Sequence, residues 1–154
     1  MTRLHPGWLV ALCAAILAFS VWLPWLTTAV DGGGRANAIG GAVGSMVLPP
    51  RFGVGQLIVL LASALLVAGA MVARSLSPKL ASTAALTISV LIVALTVRYY
   101  HLNVHPPVSA AYGLYIGAAC AVGAVGLSIW ALVASLLADR GRRGAPASTP
   151  RPSS

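Results

Sequence analysis

The chain contains no glutamate, and its only acids are Asp31 and Asp139. Charged residues make up 8% of its 154 residues, against about 25% in an ordinary soluble domain. So few charges cannot cover a soluble fold of this size, which excludes that class. The two cysteines, Cys13 and Cys120, form no C-x-x-C and both lie within long apolar runs. A thiol oxidoreductase motif is therefore missing, as is the extracellular disulfide framework of claudins and tetraspanins. Their expected depths differ by roughly 12 Å, too far for a bond to each other.

Other absences narrow the chemistry. No ionisable side chain stands near the middle of any long apolar run. Such groups mark proton relays and ion pathways, so their lack argues against a proton-coupled pump and against small multidrug exporters. Haem held between helices needs paired core histidines. The three here are His5, His101 and His105. The last two lie four apart, but Pro106-Pro107 follows and no third ligand completes a metal shell. No serine or threonine within the spans shares a helix face with a histidine, so catalysis of the Ser-His type lacks its parts. The expectation is no cofactor, no metal, no catalytic residue and no enzymatic activity.

What the chain does have is apolar length. Residues 6–30, 52–73, 80–97 and 106–138 are free of Asp, Glu, Lys, Arg and His. About 20 helical residues cross a bilayer, so each run spans once. The prediction is an all-α, four-transmembrane-helix bundle over residues 1–138, with helices near 8–28, 55–74, 80–100 and 110–138. The first run has the basic start and apolar core of a signal peptide. Its core runs on too long, however, and Trp22, Pro24 and Trp25 stand where a cleavage site needs small residues. It is read as retained.

Basic residues give a net charge of +8. They fall between the apolar runs rather than along a helix face, which excludes a nucleic-acid reading. Arg3, Arg74, Lys79, Arg140, Arg142, Arg143 and Arg151 lie on one side, Arg35, Arg51 and Arg98 on the other. The positive-inside rule then puts both termini in the cytoplasm of a multi-pass plasma (inner) membrane protein. Trp22, Trp25, Tyr99 and Tyr100 fall at the outer interface, where aromatic belts sit.

The outer loop 29–54 opens with DGGGRANAIGGAVG, at residues 31–44. It lacks both the third glycine of a dinucleotide fingerprint and the G-K-[ST] of a P-loop, and it follows a membrane helix rather than a strand. It reads instead as a long connection, of the kind that often carries function. Ala36 to Leu48 is expected to form a short interfacial helix. With the loop lie the only ionisable groups of the outer rim: Asp31, Arg35, Arg51, Arg98, His101 and His105. They are the candidate ligand or partner contact, with an anionic headgroup as one occupant.

Small and hydroxyl residues at seven-residue spacing predict helix seams. They are Cys13, Ser20 and Thr27; Ser63 and Ala70; Ser82, Ser89 and Thr96; and Ser128 and Ser135. The fourth run adds Gly113 and Gly117 on one face and Gly123 and Gly126 on another, all candidate helix-packing positions. An apolar helix ending in Leu23-Pro24-Trp25, a glycine-rich loop and three further spans resembles small uncharacterised four-helix integral membrane proteins of actinobacteria. That resemblance covers the layout of residues 8–138 and implies no activity.

From residue 139 the sequence turns basic and then rich in Pro, Ser and Ala. It is expected to be a disordered cytoplasmic tail, with Arg140, Arg142 and Arg143 placed to meet anionic lipid. The expected function is a non-catalytic accessory or scaffold protein of the bacterial envelope. Its partners would be the bilayer and either a larger membrane complex or further copies of itself. The alternative is a component of an oligomeric transporter or channel.

Overall fold

The computed structural model describes residues 6–44 and 53–144. Four helices account for most of them: α1 (Pro6–Ser20), α2 (Val54–Ala73), α3 (Pro78–Asn103) and α4 (Tyr112–Gly144). Each helix packs against two others, α1 on α2 and α4, and α3 on α2 and α4. The ring is antiparallel throughout. The start of α1 meets the end of α2 at Gly7 and Ala73, and the end of α1 meets the start of α4 at Ser20 and Gly117. Lys79 at the start of α3 pairs with Asp139 near the end of α4. Three helices, α2, α3 and α4, are long and apolar enough to cross a membrane, while α1 is a shorter apolar helix.

The buried positions follow a 3.5-residue repeat. In α2 they are Ile58, Ala62, Leu65, Gly69 and Val72. In α3, Ser82, Ala85, Ser89, Ile92, Thr96 and Tyr99 repeat the pattern. Alternating steps of three and four keep one face on the axis of a left-handed ring. The third-helix seam thus lies where the seven-residue spacing puts it. Its hydroxyls satisfy themselves: Ser82 Oγ donates to Pro78 O at 2.6 Å, Ser89 Oγ to Leu86 O at 2.9 Å and Thr96 Oγ1 to Ile92 O at 2.8 Å. Ser63 instead faces outward from α2, bonded to its own Val59 O at 3.0 Å.

The architecture is not all-α. A four-stranded antiparallel sheet, in the order β3-β2-β1-β4, closes one end of the ring. Its strands are β1 (Pro24–Thr28), β2 (Gly34–Asn37), β3 (Ala42–Gly44) and β4 (Val108–Ala110). The first apolar run was expected to stay helical to residue 28, but its helix ends at Ser20. Pro24 brings no N–H to continue the ladder, and the released carbonyl of Ser20 accepts the indole N–H of Trp25 at 2.7 Å. The β-branched pair Thr27-Thr28 then continues as strand. The interfacial helix expected over Ala36 to Leu48 is likewise absent as far as the described residues reach. Ala36-Asn37 ends β2, a turn follows, and β3 occupies 42–44.

The sheet seats in the mouth of the ring. Trp25 is fully buried, meets Tyr99 edge-on at 5.1 Å between ring centroids, and lies against Gly113 and Gly117. Trp25 and Tyr99, expected at the outer interface, are buried in the core at this end of the ring. Gly55 approaches Ala38 so closely that a methyl group there would overlap its carbonyl. At the opposite end, α4 continues through Arg140, Arg142 and Arg143 to Gly144. The first six residues of the expected disordered tail are therefore helical, and 145–154 lie outside the described residues.

Candidate functional site

Strand register decides what the cap presents. Thr27 stands opposite Arg35 on β2 and Ser109 on β4, and Arg35 stands opposite Val43 on β3. Cross-strand partners share a face, so Val43, Arg35, Thr27 and Ser109 form one row. Arg35, Val43 and Ser109 are exposed, whereas Leu26 and Ala36 of the opposite face are buried. The row therefore faces away from the helices, with a single guanidinium at its centre.

Arg35 is flanked by two concavities. One, of about 510 Å³, runs beside Thr27, Thr28 and the turn at Gly32 to Gly34. This turn is a short 3-10 segment, Val30–Gly32, followed by Gly33. Gly32 and Gly33 take φ of 86° and 87°, a region that favours glycine. The glycine run thus builds a sheet turn rather than a phosphate cradle. The other concavity, of about 390 Å³, lies between Arg35, Trp22, Pro24, Asn37 and Tyr112. Asn37 Oδ1 accepts the Gly41 N–H at 2.6 Å and holds the β2–β3 turn closed. Among the described residues, no hydrogen bond or ion pair engages the Arg35 side chain.

The other residues expected at this rim do not gather around Arg35. Asp31 lies in the 3-10 turn, and Arg51 is outside the described residues. Arg98 and His101 are exposed on the last turns of α3, where the His101 ring meets Tyr100 edge-on at 5.9 Å. His105 lines a separate cavity of about 420 Å³ with Tyr100, Ser109 and Tyr115. No hydrogen bond or ion pair among the described residues joins Arg35, Arg98, His101 and His105. The cluster expected as one site is thus divided between the open sheet face and the α3–β4 connection.

Two residues position the cap, and only one of them lies in a motif. Gln56, in the first turn of α2, accepts the Gly53 N–H through Oε1 at 3.3 Å and donates through Nε2 to Ile39 O at 3.2 Å. It caps its own helix and ties the β2–β3 turn to it. Trp25 is the other, and its signal was the proline before it. Of the four helix-packing glycines, Gly113 and Gly117 lie at close approaches to the Pro24-Trp25 corner. Gly123 makes only an ordinary contact with Cys13, and Gly126 has no neighbour within 4 Å.

The opposite end of the ring holds a cavity of about 350 Å³ between Pro6, Val72, Pro78, Ser135 and the Lys79–Asp139 pair. The pair is short, 2.6 Å, and partly exposed. Cys13 and Cys120 are free thiols. The sulfur of Cys13 reaches within 3.8 Å of a methyl position on Gly123. Gly123 and Cys120 are one turn apart, about 4.5 Å in rise, so the two thiols differ in depth far less than their run centres implied. Among the described residues, no three His, Cys, Asp or Glu side chains gather as a metal site. The chain matches no family model, no curated protein and no solved structure.

Proposed function

We propose that this chain is a non-catalytic, four-span accessory protein of a bacterial plasma membrane, whose sheet cap stands outside and contacts an acidic partner through the Arg35 face. The observation that carries this reading is an exposed arginine on a central strand of the sheet, between two concavities, with no described partner for its side chain. An arginine held on a strand offers a planar fork of donors that suits a carboxylate or phosphate. Loops and caps set on a rigid scaffold are where binding residues concentrate.

The four-span count includes α1 despite its 15 residues, about 22 Å of helix. The start of α1 is level with Ala73 at the end of α2, and Val21 O accepts the N–H of Ala38, which packs on Gly55 near the other end of α2. The chain just after α1, at Val21, therefore reaches the level at which α2 begins. With the basic residues counted as above, the turn between α2 and α3 and the end of α4 face the cytoplasm. The axis of the ring is filled by Val10, Leu17, Ile58, Leu65 and Ile92, all essentially inaccessible. A single copy thus offers no pore, which disfavours transport by the monomer.

The test is co-purification after gentle solubilisation and cross-linking. Arg35→Glu is expected to lower recovery of the bound partner by at least about tenfold, equivalent to about 1.4 kcal/mol, with the fold kept. Unchanged recovery by a folded Arg35→Glu protein would refute the assigned face.

A further inference from the structure

The cavity beside His105 does not end at the α3–β4 connection. It shares Tyr100 and Tyr115 with a second hollow of about 200 Å³ that runs down between α3 and α4. This lower hollow is lined by Val97, Leu114, Ala118 and Thr96. Its walls are apolar below the two tyrosines, where the Thr96 hydroxyl is spent on Ile92 O. The upper cavity is mixed in polarity and is lined by His105, Ser109 and both shared tyrosines. Val97, Tyr100 and Tyr115 are all more than two-fifths exposed, so the groove opens sideways between two helices long enough to cross a membrane.

We infer that this α3–α4 groove is a binding site for a glycerophospholipid, with an acyl chain beside Val97 and Ala118 and the phosphodiester beside His105 and Ser109. The division of the groove carries the inference. An amphiphile is the one class of ligand with an apolar segment and a hydrogen-bonding head in that order along its length. The sequence of surfaces also matches the depth profile of a leaflet: apolar wall, then tyrosines, then histidine and serine. The head would be held by donors, because imidazole N–H and tyrosine O–H groups can donate to phosphate oxygens. Arg98, on the same last turns of α3, adds positive charge nearby without lining the groove. An anionic head is therefore favoured over a zwitterionic one.

This inference rests on the membrane placement proposed above, and the experiment separates the two. The full chain is reconstituted in vesicles containing a phosphatidylglycerol with a photoactivatable group midway along one acyl chain. After irradiation and digestion, label is expected to concentrate on segments containing Val97, Leu114 and Ala118. Even label over every lipid-facing helix overturns the groove while leaving membrane embedding intact. A chain that takes up no label overturns both. Native mass spectrometry then compares retained phosphatidylglycerol. Ala118→Trp, which fills the lower hollow, is expected to lower retention by about tenfold. Val122→Trp, one turn on and already exposed, is the control. Equal retention by the two variants overturns the proposal, as does equal retention of phosphatidylglycerol and a single-chain alkyl detergent. Should Ala118→Trp fail to fold, the label distribution on the natural chain still decides.

Discussion

Trp25 shows how one side chain converts a helix into a cap. Its ring fills the space that Gly113 and Gly117 leave open, and its N–H satisfies the last carbonyl of α1. Trp25→Ala should therefore cost about 3–5 kcal/mol through the cavity alone, while the Ser20 carbonyl keeps the Leu23 N–H. Trp25→Phe keeps most of the ring and loses the hydrogen bond, so about 1 kcal/mol is expected. Unfolding in mild detergent, followed by tryptophan fluorescence or thermal aggregation, ranks the two. Equal losses would mean that the ring does not anchor the cap. Glycines offer a second contrast. Gly7 and Gly69 let α1 and α2 touch backbone to backbone, whereas Gly126 faces open space. Gly69→Leu should disrupt that crossing and lower the unfolding temperature strongly, while Gly126→Ala should change stability by no more than about 1 kcal/mol.

Individual elements differ in how readily the sequence announces them. Helices α2, α3 and α4 were legible because length and hydropathy together exceed what a membrane crossing needs. The α3 seam was legible because Ser82, Ser89 and Thr96 stand out in an apolar run. In α2 the same rule chose Ser63 and Ala70, yet the buried line is built from Ile58, Ala62, Leu65 and Gly69, which no polar residue marks. The complementary pairs Gly7…Ala11 and Gly69…Ala73, each four apart, were the overlooked signal for α1 on α2. The sheet was not legible at all. Its strands have three to five residues, too short for alternation to rise above glycine and threonine background. Partners β1 and β4 are also separated by two helices in sequence. The rim cluster failed for the same reason, since nothing local tells which side of a strand Arg35 will take. At the opposite end, the Lys79–Asp139 pair joins α3 to α4 but stays partly exposed. Asp139→Asn is expected to cost about 1 kcal/mol or less, with the loss shrinking as salt rises. A salt-independent loss of several kcal/mol would contradict that reading.

At the scale of the whole molecule, one arrangement unites these details: an antiparallel ring of helices with its sheet at one end and a basic helical extension at the other. The proposed placement sets the sheet outside and the extension inside. Both the Arg35 face and the lipid groove depend on it. Site-directed cysteine labelling tests it most directly. In a background where Cys13 and Cys120 are replaced by alanine, a single cysteine is placed at Val43 on the sheet or at Arg140 near the end of α4, both exposed. A membrane-impermeant maleimide should label Val43→Cys in intact cells, and Arg140→Cys only once the membrane is opened. Labelling of both positions from the same side, or the reverse pattern, would contradict the account.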